Sequence, residues 1–377
     1  MSNHNSQLLR TLAELVAINS INPAYPGGVP EEAVAQYIDA FFARRGIETF
    51  RQEVLPGRSN VIARLPGLNS SRRIILEAHM DTVSTAGMTI DPFHPVIADG
   101  RLYGRGSCDT KAGLASMMHA LAWLREREIV PPCEVWLAAV VDEEHAFRGV
   151  LRLCEGLRAD AAIVAEPTRL RAVTAAKGVL RWKLRTIGKA AHSANPHLGV
   201  NAIHHMAQVL LTLEQDAIAL ASTTHPLLGP ATLNVGLIRG GEQINFVPDT
   251  CEISIDRRLL PGEDPHAVWA AAGKRLAALG LRVEMDEPMI ADGPLETEAT
   301  ERVAIVAQQV LRSMGFNHEL AGVPFGSDAS KLARQGIPSM IFGPGSIDQA
   351  HAAVEFVECD QVSAAFTFYV EFLKQFT

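Results

Sequence analysis

The sequence predicts an α/β protein: a domain built on a central mixed, mostly parallel sheet, interrupted by an inserted α+β domain. Three observations lead there. Apolar runs without alternation, at Arg73 to Ala78, Glu134 to Val141 and Ala161 to Val164, read as strands covered on both faces. Segments of helical period, notably Lys111 to Glu126, lie between them. After about Ala176 the texture changes, and the first pattern resumes only after about Pro288. The expected boundaries are 1–177 with 289–377 for the first domain and 178–288 for the insertion.

Each element has a local reason. Leu8, Leu12, Leu15 and Val16 form an apolar stripe that predicts a helix from Gln7 to Ala17. A Pro/Gly-rich loop from Asn22 to Pro30 precedes a helix from Glu31 to Arg45, with Gly46 placed as its C-cap. Strands are expected at Asn60 to Leu65 and at the three apolar runs. The insertion reads as strand Val179 to Thr186, helix Asn201 to Leu213, strands Ala231 to Arg239 and Cys251 to Leu259, and helix Pro265 to Leu279. A helix from Glu298 to Ser313 and a strand from Ser339 to Phe342 follow.

Composition narrows the function classes. The 377 residues are 47% hydrophobic, enough for a substantial core. The net charge is −8 and no basic block stands out, which points away from nucleic acid. The N-terminus lacks the pattern of a signal peptide, and runs such as Val135 to Val141 are too short to span a bilayer. Five scattered cysteines with no CxxC pair read as reduced thiols, so a cytoplasmic location is expected.

The chemistry gathers at strand ends, where an open α/β sheet places its site. His79 and Asp81 form a His-x-Asp pair directly after an apolar strand. Asp109 lies in GRGSCDTKAG, a glycine-rich turn leading into a helix. Glu143 and Glu144 are adjacent carboxylates after a second strand, and Glu166 follows a third. His351 sits in GPGSIDQAH, a loop after a strand near the C-terminus. Imidazoles and carboxylates without a cysteine motif suit zinc or a similar divalent ion. Two such ions can share one carboxylate and a water, with a further carboxylate left to take the proton. The Glu143-Glu144 pair fits that division, and Asp81 can hold the far ring nitrogen of His79. Taken singly each signal is weak. An acidic pair is commonly a solvated surface feature, a lone histidine is usually structural, and Asp109 could be only a helix N-cap. Their concurrence is what lifts them.

These motifs resemble the family that groups acetylornithine deacetylase, succinyl-diaminopimelate desuccinylase, aminoacylase and glutamate carboxypeptidase. The similarity runs from Ile18-Asn19-Ser20-Ile21-Asn22-Pro23 through LEAHMDTV, GRGSCDTKAG, DEEH and EPT to GPGSIDQAH. The resemblance implies His79 and Glu166 on one zinc, Glu144 and His351 on the other, and Asp109 bridging. Cobalt or manganese could occupy such sites. It further implies Glu143 as general base, Asp81 as the partner of His79, and a cis Asp109–Thr110 bond. The insertion resembles the family's lid and dimerisation domain. GKAAHSANPHLGVNAI supplies His192, which would reach a partner subunit's site and stabilise the oxyanion. GGEQINFVPD supplies Asn245, DRRLLPGE supplies Arg258 for a substrate carboxylate, and FGSDAS supplies Gly326 in the pocket wall. Strand alternation puts Arg257 and Arg258 on opposite faces. One departure lies after His351, where Ala352-Ala353-Val354-Glu355 replaces a Lys-Pro-Asp-Glu-like run.

The expected function is therefore a dizinc amidohydrolase that removes an acetyl or succinyl group from the nitrogen of an amino acid, nearest to acetylornithine deacetylase. A homodimer through the inserted domain is expected, with no nucleic-acid or membrane partner. A metallo-dipeptidase or carboxypeptidase would use the same centre, and Arg258 would grip a C-terminal carboxylate equally well. A metal-binding relative without catalysis is the alternative from another class. A dehydrogenase fits poorly, since Tyr103-Gly104-Arg105-Gly106 lacks the third glycine of a dinucleotide fingerprint.

Overall fold

The computed structural model describes residues 2–377. The chain divides into two compact units. The first comprises Met1–Thr174, Thr297–Ala321 and Ser327–Thr377, and the second comprises Ala175–Glu296 and Gly322–Gly326.

The first unit is α/β around a mixed sheet. Its strands run in the order Glu48–Leu55, Arg58–Leu65, Cys133–Val140, Asn69–His79, Ala161–Val164, Ser339–Ile341 and Val173–Ala176. The parallel pairs form the middle of that order, and the flanking pairs are antiparallel. Parallel neighbours need long crossovers, and helices Lys111–Glu126 and Arg148–Cys154 provide them. Leu76 faces Leu137 on one side and Ile163 on the other, which fixes the register of the three central strands. Residues 74–79 are buried without a break, so this strand is covered on both faces, as its unbroken apolar run requires.

Helix Lys111–Glu126 is buried nearly all round. It lies so close to the end of strand Ala161–Val164 that a Cβ on Gly113 would stand 2.6 Å from the Ala165 methyl. Only glycine permits that approach. The first helix is Ser2–Val16, and its Leu8, Leu12 and Leu15 join Met117, Leu121 and Leu124 in one core. The C-terminal helix Cys359–Gln375 adds Phe368, Tyr369 and Phe372 to it. The strand Glu48–Leu55, the helix Arg148–Cys154 and this last helix have no counterpart in the sequence reading.

The second unit is a five-stranded antiparallel sheet with two helices. From Leu180 in strand Gly178–Ile187 and from Cys251 in strand Thr250–Leu259, buried and half-buried residues alternate, so one face alone carries the core. That face packs Leu180, Trp182, Leu184, Ile253 and Ile255 against Met206, Val209 and Leu213. Helix Ala202–Leu220 starts where Asn201 accepts the N–H groups of Ile203 and His204, and it runs seven residues past the expected end at Leu213. Helix Pro265–Ala277 is capped by Asp264 in the same way. Among the described residues no helix is long and apolar enough to cross a membrane. All five cysteines are free thiols.

One buried histidine makes the first unit sensitive to acid. His119 is 2% exposed, and its Nε2 lies 2.9 Å from Thr11 Oγ1. Burial, reinforced by His4 and Arg45, pushes its pKa down to about 3 from 6.5. Below about pH 6.5 the unfolded chain therefore takes up a proton that the folded chain refuses, and stability falls steadily until about pH 3. Between about pH 7 and about pH 4.5 this histidine should account for about 2–3 kcal/mol of lost stability. Denaturant melts of the metal-free protein should show His119→Gln losing that much less over the same interval; parallel pH profiles would contradict it.

Candidate metal centre

The strands deliver their end residues to one place. His79 is the last residue of strand Asn69–His79 and is 2% exposed. Glu143 and Glu144 follow strand Cys133–Val140, and Glu166 follows strand Ala161–Val164. Asp109 stands just before helix Lys111–Glu126, across a cis Asp109–Thr110 peptide that matches the family expectation. His351 comes from the loop after strand Ser339–Ile341 and adopts a left-handed backbone, with φ 59°.

Asp109 is the hub. Its Oδ1 lies 3.1 Å from His79 Nε2, and its Oδ2 lies 3.2 Å from His351 Nε2. His351 Nε2 also lies 3.2 Å from Glu144 Oε2. Ligand atoms of His79, Asp109 and Glu144 all fall within 4.8 Å of one another, and so do those of His79, Glu143 and Glu166. The five expected metal ligands and Glu143 thus meet in the first unit.

The tautomer of His79 follows from its neighbours. Its Nδ1 lies 2.9 Å from the Asp81 carbonyl oxygen, which only accepts, so Nδ1 carries a proton and Nε2, directed at Asp109, is the nitrogen left to face a cation. Here the geometry departs from the sequence reading. The Asp81 carboxylate is 3.7 Å from Nδ1, and the backbone of the same residue is the nearer partner. The carboxylate is taken up elsewhere: its two oxygens accept the N–H groups of Glu143 and Glu144, each at 3.1 Å. Asp81 therefore shapes the turn that carries both glutamates.

That turn has a second anchor. Asp142 is fully buried with φ 70°, a left-handed conformation that aims the next two N–H groups at Asp81. Asn22 Nδ2 donates to Asp81 Oδ2 at 2.7 Å and to Asp142 Oδ1 at 3.0 Å, joining the two carboxylates. Arg58 donates to Asp142 at 3.1 Å and to Glu31, and Arg148 holds the other Asp142 oxygen at 2.5 Å. Asn22 lies in the Ile18-to-Pro23 motif and Asp142 directly before Glu143, yet the sequence alone assigns a role to neither of them, nor to Arg58 or Arg148. Adjacency of Asp142 to the Glu143-Glu144 pair is the one local signal that pointed there.

Two imidazoles face four carboxylates at this centre. Burial, with Asp109 beside it, pushes Glu144 up to about 7. Burial likewise raises Glu143 and Glu166 well above the usual carboxylate range. His351 is raised to about 10 by its hydrogen bonds to Asp109 and Glu144. Burial alone would raise Asp109, yet hydrogen bonds from His351 and His79 hold it below the usual range. Such concentrated negative charge away from water calls for cations. A nitrogen and oxygen donor set without thiolate fits zinc or a similar divalent ion. Cys108 does not join: it is 1% exposed, and its Sγ is directed to the Ser346 carbonyl.

The other four candidates lie in the second unit. His192 ends the short strand Ala191–His192, opposite Phe246, and its ring is exposed. Asn245 is brought beside it, since the Asn245 carbonyl accepts the Ser193 N–H at 3.0 Å. Arg258 donates to Asp256 at 2.8 Å and to the Pro324 carbonyl at 3.3 Å, and it remains partly open to solvent. Arg257 points the other way, 3% exposed and paired with Glu263, in line with strand alternation. Gly326 is tight: a Cβ there would meet Asp292 Oδ2 at 2.6 Å.

Comparison with known proteins gives the family. Residues 75–375 match the model of the peptidase family M20/M25/M40. An acetylornithine deacetylase from Myxococcus xanthus is 32% identical over 377 residues, covering 96% of this chain and 95% of the relative. The crystal structure of the aminopeptidase PepT from Bacillus cereus superposes with a TM-score of 0.82 at 24% identity, covering 98% of each chain. A dinuclear metal-binding peptidase of the M20 family from Bacillus subtilis gives a TM-score of 0.74 at 16% identity, covering 99% of this chain and 98% of that one. The chain belongs to the peptidase family M20/M25/M40 and is a metal-dependent hydrolase of amide bonds.

Proposed function

We propose that this chain removes a short acyl group, acetyl or succinyl, from the nitrogen of an amino acid, as an acetylornithine deacetylase-like enzyme with two zinc ions. The observation that carries the reading is Asp109, with one oxygen toward each imidazole and Glu143 held beside His79. His79 and Glu166 would hold one ion, Glu144 and His351 the other, and Asp109 both. Bound there, the two ions would polarise the scissile carbonyl and acidify the attacking water. Cobalt or manganese would suit the same donors.

The side chains divide the remaining work. Glu143 takes a proton from the water at its carboxylate and returns it to the leaving nitrogen. Its buried setting, which raises its affinity for a proton, suits both steps. Asp81 and Asn22 keep Glu143 aimed by fixing the turn beneath it. Arg258, though paired with Asp256, stays partly open to solvent and offers a guanidinium to the substrate carboxylate, while Arg257 is buried against Glu263. His192 and Asn245 would contribute to a partner subunit's site, His192 donating to the oxyanion. The second unit would act as lid and dimerisation domain, with the insertion at 178–288. Its outer strand Thr232–Gly240 exposes Leu237 and Ile238, and Ile244, next in sequence to Asn245, is fully exposed, an apolar surface suited to a homodimer. A cytoplasmic location suits five reduced thiols.

A dipeptidase or carboxypeptidase is the second reading, favoured by the peptidases among the structural relatives and by an Arg258 that would take a C-terminal carboxylate. Amine release from acyl amino acids and from dipeptides, with chelator and after zinc is restored, separates the two. Cleavage of dipeptides alone would remove the deacylase reading.

Glu143→Ala should lower kcat by at least about 10³-fold while two equivalents of zinc still bind. Near-normal turnover would exclude Glu143 as the base. Asn22→Ala should reduce kcat by about 10- to 100-fold, with KM little changed, because it loosens the glutamate turn without touching substrate; unchanged kinetics would refute that coupling. Sedimentation of the active enzyme should give a dimer, and a fully active monomer would contradict the role given to His192.

A further inference from the structure

Glu355 has no part in the chemistry above, yet its carboxylate accepts four donors. It is fully buried. Oε1 accepts the N–H groups of Cys108 at 2.9 Å and Asp109 at 3.1 Å. Oε2 accepts the Gly106 N–H at 3.0 Å and Arg105 Nη1 at 2.6 Å. Arg105 is 2% exposed and uses Nη2 to hold the Ser84 carbonyl. The Glu355 carbonyl accepts the Gly104 N–H at 3.1 Å. The turn before Asp109 is thus wrapped around an anion, as backbone N–H groups wrap a phosphate, but the anion is a side chain from 246 residues later. Gly106, with φ 79°, lets the turn close in this way.

The same carboxylate is tied to the loop of His351. Glu355 lies four residues after that histidine, directly before strand Phe356–Glu358, which pairs with strand Arg101–Tyr103. One residue therefore joins the two loops that bring Asp109 Oδ2 to 3.2 Å from His351 Nε2. His79 and Glu166, by contrast, stand at the ends of neighbouring parallel strands, whose ladder positions them independently.

We infer that Glu355 is a positioning residue for the metal centre: it sets the separation of Asp109 and His351, and so the affinity of the cation position they share with Glu144. The position at His79 and Glu166 depends on it far less. The inference rests on the two-cation reading above.

The test is calorimetric titration of zinc into metal-free wild type and Glu355→Gln. The amide keeps the size of the side chain but turns an NH2 group against N–H donors. Wild type should bind two equivalents. In the variant the second should weaken about 10- to 100-fold while the first stays within about threefold, with an unchanged circular dichroism spectrum. Equal isotherms for both proteins would overturn the inference and leave the two-cation reading intact. So would equal weakening of both equivalents, the mark of a merely structural role. Wild type that binds fewer than two equivalents would remove the two-cation reading and this one with it. Should Glu355→Gln fail to fold, Glu355→Asp is read in the same titration. It keeps the charge with a shorter reach, and an undiminished second equivalent would again overturn the assignment.

Discussion

Much of this molecule is arranged around one buried aspartate that offers an oxygen to each of two imidazoles. Carboxylates in a dry site repel one another and are poorly solvated, so they can be held together only by donors and cations. The fold supplies the donors with unusual thoroughness. Asp81 is met by two backbone N–H groups and an amide, and Asp142 by two arginines and the same amide. What is left without full compensation is the inner ring of Glu143, Glu144 and Glu166, the carboxylates to which the proposed function gives metal and base.

Two kinds of support hold that ring. The parallel sheet fixes His79, the Glu143-Glu144 turn and Glu166 by hydrogen-bonded register, because each follows a strand of one ladder. Asp109 and His351 come from loops and lack that ladder. Their support comes from packing, as at Gly113 against Ala165, and from Glu355 beneath the turn. Precision obtained from a sheet needs little side-chain help, whereas precision on loops must be built residue by residue.

The sequence made the strand ends legible because burial on both faces leaves an unbroken apolar run that stops where the polar residue begins. His79, Glu143, Glu144 and Glu166 stood out for that reason. Asp109 was visible through its glycine-rich turn, and His351 through the family likeness of its loop. The helix Cys359–Gln375 was not read, although its aromatic residues are a large part of the core. Asp81 was given the right neighbourhood and a different contact, since the choice between a carbonyl and a carboxylate is a matter of an ångström of backbone path. Asn22 and Glu355 could not be assigned from spacing, because their partners lie 59 to 250 residues away and only the folded chain brings them together.

The distance along the chain between Asp109 and its carboxylate support has a consequence for how the protein is made. During synthesis the three central strands and the Asp109 turn emerge long before residues 351 and 355 exist, and the second unit is translated in between. A nascent chain therefore carries a cluster of acidic side chains that neither His351 nor Glu355 has yet joined. Contacts of such high sequence separation form late and slowly. The side of the centre where Asp109, Glu144 and His351 meet is thus completed by a segment translated long after the central strands, and a chain cut short before residue 351 retains the strands of the central sheet but lacks the full cluster.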